Sequence, residues 1–211
     1  MPLLKFSSRK NAQGATLPEV IVGAAIFAVL ALVVSLFQRD VFSFNRILSE
    51  SLGNQQEARQ AFKSMSAEIR AASQSSLGGY AIEAAATSSL IMYTNIDADS
   101  VKERVRYFLS GSTLYKGVIK PVGNPLVYNS ANEVLTEIVH NVANATSTPT
   151  PIFTYYDSAY DGTTAPLGNP VSILSIRLIR MTVFIDQNPL RDPGPTVITT
   201  QAAIRNLKSN L

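Results

Sequence analysis

Cysteine and tryptophan are missing from this 211-residue chain, histidine occurs once, and no acidic residue precedes Glu19. Without cysteine there are no disulfide staples, no thiolate catalysis and no cysteine-ligated metal, and an oxidising compartment is permitted without being indicated. The lone His140 excludes a histidine cluster, so a Ser-His-Asp arrangement would have to use that residue. The plainer reading is a surface or half-buried polar side chain. No glycine-rich phosphate loop, zinc signature or nucleophile elbow is present either, and a non-enzymatic role is expected.

The acid-free start explains the charge. The formal net charge is +3, and the excess sits in Lys5, Arg9 and Lys10; removing residues 1–14 leaves 15 basic and 15 acidic side chains. A body so balanced has no bulk electrostatic footprint for nucleic acid.

What the N-terminus does have is an apolar run. Val20 to Phe37 carries no charge over 18 residues, the lower end of what crosses about 30 Å of hydrocarbon as a helix. A secretory signal peptide would be cut after its apolar stretch, behind small residues. Here Val29-Leu30-Ala31 is a poor site because Leu32 to Phe37 beyond it is still apolar. The order is instead a basic leader, Gly14, Ala15-Thr16-Leu17-Pro18-Glu19, and then the run, so a cut after Gly14 would remove the positive charges and keep the apolar helix. Pro18 suits a helix's first turn, where its missing N–H costs nothing. Glu19 is harder to place, since a carboxylate in a spanning segment costs up to about 3 kcal/mol. Cleavage between Gly14 and Ala15 would create an ammonium one helical turn away, on the same or a neighbouring chain, for it to pair with.

The stretch Arg9-Lys10-Asn11-Ala12-Gln13-Gly14-Ala15-Thr16-Leu17-Pro18-Glu19-Val20 resembles the class III signal of type IV prepilins. The resemblance implies that a membrane prepilin peptidase cuts after Gly14 and methylates the new N-terminus at Ala15, and that Glu19 is needed for assembly. Ala15 departs from the phenylalanine usual in that family, which bears on methylation more than on cleavage. The implied organisation is a leader over 1–14, a transmembrane and filament-core helix over 15–38, an amphipathic half of that helix over 39–79, and a globular head over 80–211.

Beyond the membrane run, Val41, Phe44, Leu48, Leu52, Ala58, Phe62, Met65, Ile69 and Ala72 recur in steps of three and four, predicting one apolar stripe on a long helix ending at Leu77-Gly78-Gly79. Strands are expected over Ser89–Thr94, Val101–Leu109, Thr113–Ile119, Ile152–Tyr156, Val171–Asp186 and Thr196–Ile204, with a hairpin turn at Ser110-Gly111-Ser112. Val134, Leu135, Ile138, Val139 and Val142 fall at helical spacing, predicting a short helix over Asn132–Val142, with a strand through Ile138–Val142 as the alternative. The expected class is α+β, pilin-like: one long N-terminal helix packed on an antiparallel sheet. Val105-Arg106-Tyr107-Phe108-Leu109, Leu114-Tyr115-Lys116, Phe153-Thr154-Tyr155-Tyr156-Asp157 and Ala203-Ile204-Arg205-Asn206 look like minor pilins of the PilW type and the type II secretion pseudopilin J, which sit at or near filament tips.

The resemblance implies as partners the peptidase, other pilins met through the N-terminal helix, the inner-membrane assembly machinery, and lipid before assembly; the protein would be single-pass in the cytoplasmic membrane with its head outside. No cofactor is expected. Three weaker candidates remain in the head. Asp157 and Asp161, with Asn169, could hold a hard cation, although their spacing does not match a twelve-residue calcium loop and plain turns are the simpler reading. Lys102, Arg104, Arg106, Lys116 and Lys120 could form a basic strip that meets DNA or an acidic partner, or a solvated strand face. Tyr155, Tyr156 and Tyr160 could be an exposed adhesive patch or the edge of a core. The rival functional class is a surface adhesin or binding module held by an uncleaved anchor.

Overall fold

The computed structural model describes residues 14, 16–97, 99–145, 149–186 and 194–207, with the side chains of 46–48, 50 and 51 outside the description. The chain is α+β. Helix α1 (Leu17–Ala71) precedes strands β1 (Ile82–Ala85), β2 (Ser89–Thr94), β3 (Glu103–Ser110), β4 (Thr113–Ile119), β5 (Val134–Val139), β6 (Phe153–Tyr156), β7 (Leu178–Ile185) and β8 (Thr196–Ala203). Internal contacts divide it into two units, Met1–Ser49 and Glu50–Leu211.

In the first unit no described residue of α1 is buried. Every large apolar side chain from Leu17 to Phe44 is between 46% and 74% exposed, including Val41 and Phe44. The span Leu17–Asn45, whose most apolar 18-residue window has a mean hydropathy of 2.9, is long and apolar enough to cross a membrane. Ser35 is accommodated by donating its hydroxyl to the Ala31 carbonyl at 2.8 Å, one turn back.

In the second unit β1 to β5 form an antiparallel meander and β6 to β8 a separate three-stranded sheet. The β3–β4 hairpin closes on Gly111-Ser112 between the paired Ser110 and Thr113, and Gly111 takes φ +60°, which a two-residue turn requires. Alternation decides the faces: Leu90, Met92 and Thr94 of β2 and Val105 and Tyr107 of β3 point inward, while Arg104 and Arg106 point away. The inward set meets Ala58, Phe62, Met65, Ile69 and Ala72 of α1, joined by Phe153, Tyr155, Ile179, Met181 and Val183 of the second sheet in one buried cluster. Apolar surface removed from water drives this packing at about 25 cal/mol per Å². Buried Asn144 is fully used: Nδ2 donates to the Thr150 and Thr182 carbonyls, and Oδ1 accepts from the Phe184 N–H at 2.9 Å.

Several expectations are corrected. The helix stops at Ala71, not at Leu77-Gly78-Gly79, because the serine-rich segment beyond it finds other partners. The Ser73 N–H donates to the Tyr93 carbonyl, Asn206 Nδ2 donates to the Ala72 carbonyl, and Ser75 Oγ accepts from the N–H groups of Leu77 and Gly79. The buried stripe covers only Ala58 to Ala72; Leu52 is exposed, and the Leu48 side chain lies outside the described residues. The helix expected over 132–142 is a single 3-10 turn, Ser130–Asn132, followed by strand β5. The expected single sheet is two, and the strand expected from Val171 begins only at Leu178, after a 3-10 turn at Ile173–Ser175.

Candidate functional site

The first turn of α1 is the feature around which the sequence concentrated its chemistry. The Val20 N–H donates to the Thr16 carbonyl at 3.1 Å, which makes Thr16 the N-cap and Leu17, Pro18 and Glu19 the first three helical residues. Glu19 Oε2 reaches back to accept from the Thr16 N–H at 3.4 Å, one half of a capping box. That role was missed in the sequence, where Thr16-Leu17-Pro18-Glu19 already has the T-x-x-E spacing. Gly14 is exposed, and a Cβ built on it would meet nothing within 4 Å. Packing therefore gives no reason for glycine at this position. Lys5, Arg9, Lys10 and Ala15 lie outside the described residues.

The basic strip of the head is largely neutralised by acids that the sequence does not place beside it. Arg104 forks onto Glu83 through Nε and Nη2, both at 2.7 Å, and Arg106 forks onto Glu133 at 2.8 and 2.6 Å. Both acids are held below the usual carboxylate range, chiefly by these hydrogen bonds. Lys116 pairs with Glu68 at 2.6 Å, and Lys120 with Asp97 and Asp99 at 2.6 and 2.5 Å. Glu68 also accepts from the buried Tyr107 hydroxyl and from Ser64. These pairings leave little free charge along the strip for a phosphate backbone to neutralise.

His140, just past β5, is flanked by two carboxylates, Glu57 Oε1 at 2.7 Å from Nδ1 and Glu137 Oε2 at 2.9 Å from Nε2. Hydrogen bonds with Glu137 first, then Glu57, raise its pKa, and in its protonated form the imidazolium can donate to both. This geometry suits a tie between α1 and β5 and is the reverse of a base poised beside a hydroxyl.

Asp157 and Asp161 each close their own turn. Asp157 Oδ1 accepts from the Ala159 N–H, and Asp161 Oδ1 accepts from the N–H and hydroxyl of both Thr163 and Thr164, which hold it well below the usual range. Among the described residues the two do not form a carboxylate cluster. The tyrosines close a core edge: Tyr155 is buried with its hydroxyl donating to the Ala86 carbonyl at 2.7 Å, and Tyr156 packs on Tyr160 with Arg180 lying over both rings.

Beside α1, Arg59, Phe62, Lys63, Ser66 and Arg70 line an open groove with Ile198 of β8. The chain matches no protein-family model and no curated protein.

Proposed function

We propose that the chain is a minor pilin or pseudopilin, a structural subunit at or near the tip of a type IV pilus or a type II secretion pseudopilus. The observation that carries the reading is an acid in the first turn of a helix, directly before an uncharged and exposed run from Val20 to Phe37, and five residues after a glycine that packing does not require. The helix inserts in the cytoplasmic membrane with the head outside. A prepilin peptidase cuts after Gly14, Ala15 becomes the methylated N-terminus, and the inner-membrane machinery draws the helix into a filament core where other pilins cover it.

Magnitudes favour the insertion step. Twelve strongly apolar side chains lie between Val20 and Phe37, and at roughly 0.3–0.6 kcal/mol each they favour insertion by on the order of 5 kcal/mol. This exceeds the cost of Glu19, which is at most about 3 kcal/mol at mid-bilayer and smaller at an edge. In the filament Glu19 pairs with an Ala15 amine and sets the axial register, a use of a polar group that apolar packing alone does not supply.

The test is the N-terminal residue of the mature protein, read by mass spectrometry from its own host, together with Glu19→Gln. Glutamine preserves the capping acceptor for the Thr16 N–H but removes the charge. The expected result is a chain starting at Ala15 in which Glu19→Gln is still cleaved and fails to enter filaments. A functional protein that keeps Met1, or normal incorporation of Glu19→Gln, sinks the reading in favour of an anchored surface binding module.

A further inference from the structure

Where β2 passes into β3, Asp97 and Asp99 cap loop N–H groups and pair with Lys120, and together with Glu103, the first residue of β3, they gather more oxygen atoms than these contacts use. One carboxylate oxygen each from Asp97, Asp99 and Glu103 lie within 4.8 Å of one another. That spread fits a single ion, because ligands on opposite sides of a cation held at about 2.4 Å are about 4.8 Å apart.

Two of the three acids are exposed, but Glu103 is not. It is 1% exposed on the inward face of β3, its Oε2 accepts from the Ile96 N–H at 3.0 Å, and its Oε1 has no hydrogen-bond partner among the described residues. Thr94 stands directly across the ladder from Glu103, is also fully buried, and has an unpartnered Oγ1. Asn95 Nδ2 donates to the Asp99 carbonyl at 2.6 Å while its Oδ1 is unpartnered. Buried oxygens without donors are uncommon, and three at one hairpin end call for an electrophile that is not a hydrogen-bond donor of the chain.

Lys120 supplies part of the positive charge, at 2.6 Å from Asp97 and 2.5 Å from Asp99. It makes no ion pair with Glu103 among the described residues, and its half-exposed side chain can swing into solvent. We propose that the β2–β3 loop is a binding site for a hard divalent cation, calcium, with Asp97, Asp99 and Glu103 as carboxylate ligands and Lys120 as the tethered cation it displaces. An all-oxygen set of carboxylates excludes softer metals, and a set held partly on a loop suits the flexible coordination of calcium better than the strict octahedron of magnesium.

The experiment is isothermal titration of CaCl2 into the EGTA-stripped full chain in a non-ionic detergent. Wild type is expected to bind with Kd on the order of 10⁻⁴–10⁻³ M, the class of loosely preorganised extracellular sites. Lys120→Gln should bind about 10-fold tighter, because the competing ammonium is gone, and the Asp97→Asn/Asp99→Asn double variant at least about 10-fold weaker. These three positions are exposed enough to vary without emptying the core, whereas Glu103→Gln alone could fail by misfolding. Absence of calcium heat in both wild type and Lys120→Gln overturns the proposal, as does an unchanged titration in the double variant or an equal response to MgCl2.

Discussion

Gly117 shows how one missing side chain can hold a polar network in place. It sits on β4 opposite Arg106, and a Cβ there would lie 2.2 Å from Glu133 Oε1 and 2.8 Å from its carboxyl carbon. A Cβ there would displace the Glu133 carboxylate from its fork with Arg106, whose guanidinium in turn lies 3.9 Å from the centre of the Phe108 ring. Gly117→Ala is therefore expected to lower the unfolding free energy by about 1–3 kcal/mol, the cost of separating a partly buried, hydrogen-bonded ion pair. In a Glu133→Ala background the same change should cost less than about 0.5 kcal/mol, since alanine is otherwise the better strand residue. Urea unfolding of the four proteins measures the cycle, and an equal cost in both backgrounds would remove the clash as the cause.

At the scale of elements, the contact of α1 with His140 just past β5 is expected to depend on pH. The folded-state pKa of His140 is raised above its ordinary 6.5, so its stabilisation is fully present below pH 6.5 and is lost as pH rises through the raised value. Glu137 has its pKa lowered from 4.5, chiefly by His140, so its share is present above pH 4.5 and is lost as pH falls through the lowered value. The paired imidazolium thus contributes most between about pH 4.5 and 6.5. Thermal midpoints from pH 5 to 9 should fall on the alkaline side, and His140→Gln should flatten that limb; a slope unchanged in the variant would assign it to another group. The sequence did not reveal this tie because it hid β5. Edge strand β5 has only Val139 fully buried and leaves Val134 and Leu135 in solvent, so selection for alternation is weak and paired apolar residues imitate helical spacing. Where both neighbours demand a face, as in β3, alternation was plain and the hairpin was placed correctly. The end of α1 was misplaced for a related reason: Gly78 does adopt φ +89°, but in the loop after a helix whose continuation is already diverted, the Ala72 carbonyl accepting from Asn206 and the Ser73 N–H donating to Tyr93. Local pattern locates a glycine's conformation more readily than the long-range bonds that stop a helix.

For the whole molecule, the two units differ in what holds them. All members of the buried cluster fall between Ala58 and Ile204, whereas the candidate span Leu17–Asn45 has no buried residue. Stability that comes from apolar burial should then reside in Glu50–Leu211, and the apolar helix should add solubility problems and no folding free energy in a monomer. A chain beginning near residue 45 leaves about three and a half helical turns ahead of Ala58, enough for the new end to fray without uncovering Phe62 or Met65. It is expected to be monomeric without detergent, to unfold in urea in one transition, and to match the full chain in micelles within about 1 kcal/mol. The Glu57–His140 contact tests the cut from within: alkaline destabilisation should survive in the shortened chain, because both partners lie beyond residue 50. Aggregation of the shortened chain, or a loss well beyond 1 kcal/mol, would mean that residues before 45 support the fold of Glu50–Leu211 and that apolar burial within that unit is not what holds it.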